Sequence, residues 1–463
     1  MTVKRGQELE LEISDLAFGG RGIAKVDGLA VFVDQTAPGD RILARITKKK
    51  KNFAEARMIR LLTASSLRIT PPCSYCGHCG GCKWQFLPYE SQLIYKRRHV
   101  AESLAHIGLI QEVPVHDTIP SPDVFAYRNK MEFSCSDHRW LLPEEMGRED
   151  VEAGFGIGLH VSGTFQKVLD IEKCLLMPAL GNEILNEVRQ FIRNSNLPVY
   201  GLRSHEGFWR FLMLRHSAAY DQWMVNIITA AEAPETLRPL ADRLVAEYPQ
   251  IVSVVNNITA RKAGIAIGEY ELLLAGSPIL KDRSGRFEFE ISANSFFQTN
   301  TRGASRLYDT AKAYAGLTGT ETVLDLYCGT GTIGIGLSDA AKEVIGIEII
   351  ESAVADAKRN CRANGITNCR FILGDIKDAL MEIEAVPEVL IIDPPRVGMH
   401  KDVVVQVLKM APQRIVYVSC NPATLARDLG MLREKYQPME IQPVDMFPHT
   451  FHIESVARLE KIK

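Results

Sequence analysis

From about residue 291 onward, short apolar runs alternate with segments whose apolar positions recur at helical spacing. Residues 321–326, 343–349, 389–392 and 414–418 read as strands, and residues 333–338, 352–364 and 403–410 as helices. Strands alternating with helices at this spacing predict a parallel, doubly wound α/β sheet of Rossmann-like form. Residues 1–62 follow a period of two instead, as in Glu8-Leu9-Glu10-Leu11-Glu12-Ile13 and Ala30-Val31-Phe32-Val33, with breaks at Gly19-Gly20-Arg21-Gly22 and Pro38-Gly39-Asp40. That pattern predicts a small OB-like β-barrel. Between them, residues 63–290 mix helical stretches (88–109, 178–193) with strands (210–214, 223–228, 251–256), so a central α+β domain is expected. The expected units are therefore 1–62, 63–290 and 291–463, and a chain of 463 residues is long enough for each to have its own core.

With 46% hydrophobic and 24% charged residues the composition is that of an ordinary soluble protein, and a net charge of −2 carries no global signal for a polyanion partner. Any nucleic-acid face must be local. Residues 1–62 hold 12 lysines and arginines against 8 carboxylates, with Lys48 through Lys51 in one run, which reads equally as a solvated turn or as the face of an accessory RNA-binding barrel. Residues 1–7 lack the apolar core of a signal peptide and no 18-residue apolar run occurs, so a cytoplasmic protein without membrane contact is expected. No obligate protein partner is inferred. In a reducing compartment the 10 cysteines, four of them between positions 73 and 82, point to ligands or catalysts rather than disulfides.

Val323-Leu324-Asp325-Leu326-Tyr327-Cys328-Gly329-Thr330-Gly331-Thr332-Ile333-Gly334 is a strand, a glycine loop and a helix start. Gly329, Gly331 and Gly334 satisfy G-x-G-x-x-G, so a dinucleotide oxidoreductase is one reading. Glu348, 19 residues after Gly329, suits ribose hydroxyls in either reading. Asp325 favours S-adenosylmethionine, because a carboxylate before the loop repels a pyrophosphate and attracts a cationic amino group. Asp393, in Asp393-Pro394-Pro395-Arg396, is expected at the ligand-binding edge of the sheet, and Gly374-Asp375 within reach of an adenine. Cys420, in Ser419-Cys420-Asn421-Pro422, ends an apolar strand at a turn that proline enforces, where a nucleophile can meet a ligand.

Together, Asn294-Ser295-Phe296-Phe297-Gln298-Thr299-Asn300, the Asp325 to Gly331 loop, Asp393-Pro394-Pro395-Arg396, Ser419-Cys420-Asn421-Pro422 and Phe447-Pro448-His449-Thr450-Phe451-His452-Ile453-Glu454 resemble, in order, the RNA uracil-5-methyltransferase family. The barrel looks like the TRAM domain of its ribosomal RNA members. By resemblance Gln298, Tyr327, Glu348 and Asp393 contact S-adenosylmethionine, Cys420 is the nucleophile and Glu454 the proton acceptor, while Thr332 stands where some members contact the cofactor. The chemistry asks for the same parts. C5 of uracil is a poor nucleophile until a thiolate adds to C6, so Cys420 needs a lowered pKa, and a base such as Glu454 must then remove the C5 proton.

Cys73-Ser74-Tyr75-Cys76-Gly77-His78-Cys79-Gly80-Gly81-Cys82 has C-x2-C-x2-C-x2-C spacing, open to zinc or to an iron–sulfur cluster. The resemblance implies a 4Fe–4S cluster on Cys73, Cys79, Cys82 and Cys174, with Cys76 able to replace Cys174. Such a cluster would fix the nearby basic helix with Lys96, Arg97, Arg98 and His99 as an RNA surface. The barrel and cysteines together imply 23S ribosomal RNA as substrate. The alternatives are a uridine of the transfer RNA T-loop, an iron–sulfur dinucleotide oxidoreductase, and an RNA-binding protein without catalysis.

Overall fold

The computed structural model describes residues 3–262, 264–383 and 386–462. The first segment forms a six-stranded sheet in the order Glu8–Glu12, Arg41–Lys49, Phe53–Thr63, Leu29–Val33, Gly22–Val26, Asp15–Leu16. Its period of two sends Leu11, Val31, Val33, Ile42 and Ile46 into a separate core. Arg45 and Lys48 turn outward to Glu8 and Glu55.

The middle of the chain builds a seven-stranded sheet in the order Tyr270–Gly276, Ile251–Ile258, Gln222–Thr229, Trp209–Ser217, Lys130–Ser136, Gly156–His160, Val168–Asp170. One pair is parallel, Gln222–Thr229 with Ile251–Ile258, and helix Pro234–Glu247 makes its crossover. Helices Ala179–Asn194 and Pro234–Glu247 bury Ile184, Val188, Leu237 and Leu244 against Trp209, Trp223 and Val225 of the sheet.

The C-terminal sheet runs Cys369–Leu373, Glu343–Glu348, Thr322–Leu326, Val389–Ile392, Arg414–Ser419, Glu454–Lys461, Tyr436–Val444. The first five strands are parallel, and Glu454–Lys461 inserts antiparallel between Arg414–Ser419 and Tyr436–Val444. Its buried parallel strands are continuous apolar runs, as strands covered on both faces must be. Packing does not stop at residue 291. The hairpin Ile279–Ser284 and Phe287–Ser292 packs Phe287, Phe289 and Ile291 with Phe297 and Phe371, and Val100, Leu104 and Ile110 join the core of the C-terminal sheet.

Helix Tyr89–His106 departs in part from the expected RNA surface, because Lys96 and His99 are used inside the protein while Arg97 and Arg98 stay about half exposed in surface ion pairs. Lys96 is fully buried, with its ammonium 2.6 Å from Asp445 and 3.0 Å from the Phe447 carbonyl. His99 is buried against the Leu16 carbonyl of the barrel at 2.9 Å. Arg97 bonds the Val115 carbonyl and Asp117, and Arg98 bonds Glu102 and Asp15. One turn before Lys96, Gln92 accepts from His449 N–H at 2.8 Å and meets His449 Nδ1 at 3.3 Å. Spacing of four residues places Gln92 and Lys96 on one face, and that face holds residues 445–449.

Removing one partner of a buried ion pair strands the other charge. Lys96→Met should therefore lower stability by about 3–5 kcal/mol, and Lys96→Met with Asp445→Leu should recover most of it. Urea denaturation midpoints of the two variants check this, and equal losses would show that the charges are not coupled.

Candidate active site

The chemistry-bearing residues lie along one edge of the C-terminal sheet because each follows the end of a parallel strand. Tyr327 follows Thr322–Leu326, Asp375 follows Cys369–Leu373, Asp393 follows Val389–Ile392 and Cys420 follows Arg414–Ser419, while Glu348 is the last residue of its strand. Glu454 comes to the same edge from the opposite direction. Ser419 pairs with Ser455, and extending that antiparallel register by one residue sets Cys420 opposite Glu454. The turn after Cys420 is fixed by Asn421, which caps helix Pro422–Leu432 by accepting from Ala423 N–H at 3.1 Å. Its amide donates at 3.0 Å to the Arg396 carbonyl, tying the thiol's turn to the Asp393-Pro394-Pro395-Arg396 turn.

The charges around the thiol conflict. Burial pushes Cys420 up to about 11, Glu454 and Asp393 push the same way, and Arg396 opposes them. This corrects the expected lowered thiol: the free chain holds Cys420 protonated at neutral pH. Burial also raises Glu454 well above the usual carboxylate range, reinforced by Asp393, and raises Asp393 to about 7 and Asp325 to about 8. Groups packed this closely share their protons, and fewer negative charges than acidic groups are tolerated at pH 7. Added positive charge at this edge would release protons from it.

Tyr327, Glu348 and Asp375 line one cavity of about 540 Å³ with Pro395, His400 and Arg427. Glu348 is held by Gly329 N–H at 3.0 Å and by Ile349 and Ile350 N–H, each at 2.9 Å, which fixes its carboxylate at the cavity wall. Tyr327 keeps φ at +62°, a region costly for a bulky residue, which turns the chain sharply between strand and glycine loop. Asp325 is buried, accepts from Gly334 N–H at 3.1 Å, and has a second oxygen with no partner among the described residues. An amide that a pyrophosphate would need is thus already taken, and a buried acceptor is left for a cation. Gln298 is not among the residues of this cavity, and its loop is tied by Asn129, whose amide donates to the Gln298 carbonyl at 2.8 Å. Thr332 lines a different cavity of about 260 Å³ and receives Tyr308 Oη at 3.4 Å.

Residues 277–462 match the tRNA (Uracil-5-)-methyltransferase family and residues 2–59 the TRAM domain. An uncharacterized RNA methyltransferase of Chlorobaculum tepidum is 44% identical, over 99% of this chain and 97% of its own length. One from Porphyromonas gingivalis is 41% identical, over 97% and 99%. The chain belongs to the RNA uracil-5-methyltransferase family. The structure of Pyrococcus abyssi tRNA (uracil-54, C5)-methyltransferase in complex with S-adenosyl-L-homocysteine is also similar, with a TM-score of 0.76 and 29% identity over 97% of this chain and 99% of that one. The barrel is thus a TRAM domain, the C-terminal sheet a Rossmann-like methyltransferase fold, and S-adenosylmethionine the methyl donor of the family.

In this methyltransferase Cys73, Cys76, Cys79, Cys82 and Cys174 line a single cavity of about 490 Å³. All five are free thiols. Among the described residues no three histidines, cysteines or carboxylates converge on a point that one metal ion could occupy. Burial pushes Cys76 up to about 11 and Cys79 and Cys82 up to about 12. Cys79 and Cys82 each feel both Cys73 and Cys174, and Cys76 interacts with Cys73 and Cys79.

Arg396 and Tyr308 are site residues that sequence reasoning gave no role. Arg396 adjoins the Asp393 motif and is the one basic side chain that eases ionisation of both Cys420 and Glu454. Tyr308 lies within helix Thr301–Ala315, where no local signal marks it, yet its hydroxyl feels Asp325, Asp393 and Glu454.

Alkylation of Cys420 by iodoacetamide, followed by mass spectrometry of its peptide, should keep accelerating from pH 8 to pH 10 in the free methyltransferase. Arg396→Gln should move that profile up by about one pH unit, since an opposing cation stabilises the thiolate. A plateau below pH 9 would show that Cys420 is not held protonated.

Proposed function

We propose that this methyltransferase transfers the methyl group of S-adenosylmethionine to C5 of a uridine in 23S ribosomal RNA, in the cytoplasm, through a covalent bond between Cys420 and C6. The observation that carries this reading is the strand register that sets Cys420 opposite Glu454 at the edge where the cofactor-pocket residues converge. The Cys420 thiolate adds to C6 and moves an electron pair onto the O4 side of the ring. C5 of that enolate attacks the methyl carbon, the methyl–sulfur bond breaks with its electron pair passing to sulfur, and S-adenosylhomocysteine is the leaving group. The Glu454 carboxylate then takes the C5 proton, and the returning electrons expel the thiolate. Arg396 favours the ionised forms of both protein groups, and the sulfonium of the cofactor brings further positive charge to the same edge.

Tyr327, Glu348 and Asp375 are assigned to the adenosine end of the cofactor, and Gln298, Asp393, Asp325 and Thr332 to its methionine end. The 4Fe–4S cluster that the resemblance implies is assigned to Cys73, Cys79, Cys82 and Cys174; what supports it is that these free thiols line one cavity, where bound iron would offset the cost of ionising them. Its chemistry here would be structural, cross-linking the loop at 73–82 to the segment after Val168–Asp170. Residues 1–62, 63–290 and 291–463 then act as RNA-binding, cluster-bearing and catalytic units.

The TRAM domain together with the cysteine cavity favours ribosomal RNA. A second reading, a transfer RNA uridine, is favoured by the full-length similarity to the Pyrococcus abyssi tRNA enzyme. Mapping 5-methyluridine in both RNAs from a deletion strain decides between them: loss from 23S RNA is expected, loss from transfer RNA alone assigns the second reading, and loss from neither rejects the function.

Cys420→Ala should abolish turnover while S-adenosylmethionine affinity stays within about twofold. Glu454→Gln should methylate once and stall about 10²–10⁴-fold, leaving a methylated RNA–protein species on denaturing gels. Rapid turnover by Glu454→Gln without that species would assign proton removal to another group.

Cys174→Ser should lose most of the bound iron, whereas Cys76→Ser should keep it. The opposite pattern of iron per chain would make Cys76 the fourth ligand.

A further inference from the structure

The loop between strands Gly156–His160 and Val168–Asp170 carries Phe165, which at 91% is the most exposed large apolar residue among those described. The loop is not slack. Val161 N–H donates to the Lys167 carbonyl at 2.8 Å, and Thr164 N–H and Oγ1 both donate to the Val161 carbonyl, at 3.1 and 3.0 Å. The hairpin is also braced by the cysteine loop, through a bridge between Cys79 and Val161 and a hydrogen bond from Gly80 N–H to the His160 carbonyl at 2.9 Å. The phenyl ring is thus held in water on a loop whose backbone is hydrogen-bonded in place.

Basic side chains are carried by or bonded to the residues that follow Phe165. The Lys167 ammonium lies 3.7 Å from the Trp140 ring centre, and Arg203 Nε donates to Gln166 at 3.1 Å. Arg128, Lys130 and Lys173 share a cavity wall with Ser162, Gly163 and Thr164, where Glu132 pairs with Lys130 at 2.6 Å. Residues 161–167 contain no carboxylate. Lys83 links this tip to the catalytic edge: its ammonium donates to Ser162 at 2.5 Å, near Asp34 at 3.9 Å, and its backbone N–H donates at 2.8 Å to the carbonyl of His449, in the segment that leads to Glu454.

We propose that Phe165 is a stacking platform for an unpaired base of the substrate RNA, with Lys167 and Arg203 contacting the neighbouring phosphates. An exposed ring amid cations, continuous with the reacting edge, is the arrangement that grips a single strand without reading its sequence. The proposal rests on the RNA reading above and places the central RNA contact on this hairpin instead of on helix Tyr89–His106.

The test is filter binding of unmodified 23S and transfer RNA transcripts to the full-length protein at fixed salt, with methylation kinetics and sedimentation run in parallel. Phe165→Ala should weaken binding of the methylated RNA about 5- to 150-fold. The effect should fall on the KM for RNA rather than on kcat, with an unchanged Tm, and Phe165→Trp should bind as the wild type does. Lys167→Gln and Arg203→Gln should each reduce the salt slope of binding by about one ion. If the wild type methylates RNA and Phe165→Ala binds it equally well, the platform is wrong while the function stands. Unchanged RNA affinity with an altered oligomeric state would assign the ring to a protein contact, and also overturn it. If the wild type neither binds nor methylates either RNA, both readings fall.

Discussion

Lys96 and Asp445 sit together out of reach of water, and the geometry of the reacting groups depends on their staying so. Two ions buried at this depth tolerate little misalignment, because each has lost its hydration and keeps only its partner and the Phe447 backbone. The helix that carries Lys96 is fixed to the barrel through His99 and to the core of the C-terminal sheet through Val100 and Leu104. The segment that carries Asp445 leads through His449, at φ +66°, to Glu454. A single ion pair therefore registers the barrel, the helix and the Glu454 segment against one another. Gln92 and the backbone of Lys83 and Trp84 repeat the same hold from neighbouring positions.

The α/β pattern from residue 291 onward was legible because parallel strands buried on both faces must be apolar throughout, and their crossovers must be helical. Strand Val389–Ile392 falls on its expected residues, and Arg414–Ser419 extends one residue past them. The strand ends also set the site, so Tyr327, Glu348, Asp375, Asp393 and Cys420 could be placed at one edge from their positions alone. Three things could not be read. A run such as Lys96-Arg97-Arg98-His99 does not say which of its members will find a carboxylate 349 residues away, as Lys96 does. Nor does local sequence report the field at Cys420, which is made by Glu454, Asp393 and Arg396 from other strands. Helical spacing likewise missed the share of residues 89–119 in the C-terminal core, because an amphipathic helix does not name the sheet it will cover.

That field gives the site a particular economy of charge. Burial raises Cys420, Glu454, Asp393 and Asp325 toward their neutral forms, and Asp393 reinforces the shift at the other three. A site that is quiet when empty and ionises as cations enter ties nucleophile formation to occupancy. The same feature limits stray reactivity of a half-exposed thiol, since the thiolate is the species that oxidants and electrophiles attack.

Glu454–Lys461 lies between two strands, Arg414–Ser419 and Tyr436–Val444, that both precede it in the chain. Tyr436–Val444 pairs with it as a local hairpin across residues 445–453, but Arg414–Ser419 gains it only when that strand inserts alongside, at longer range. Until then the strand that ends at the thiol has an open edge, with unpaired amides and carbonyls exposed. Cys420 and Glu454 consequently reach their facing positions in the same folding event. A nascent or partly unfolded chain presents neither one in working geometry without the other.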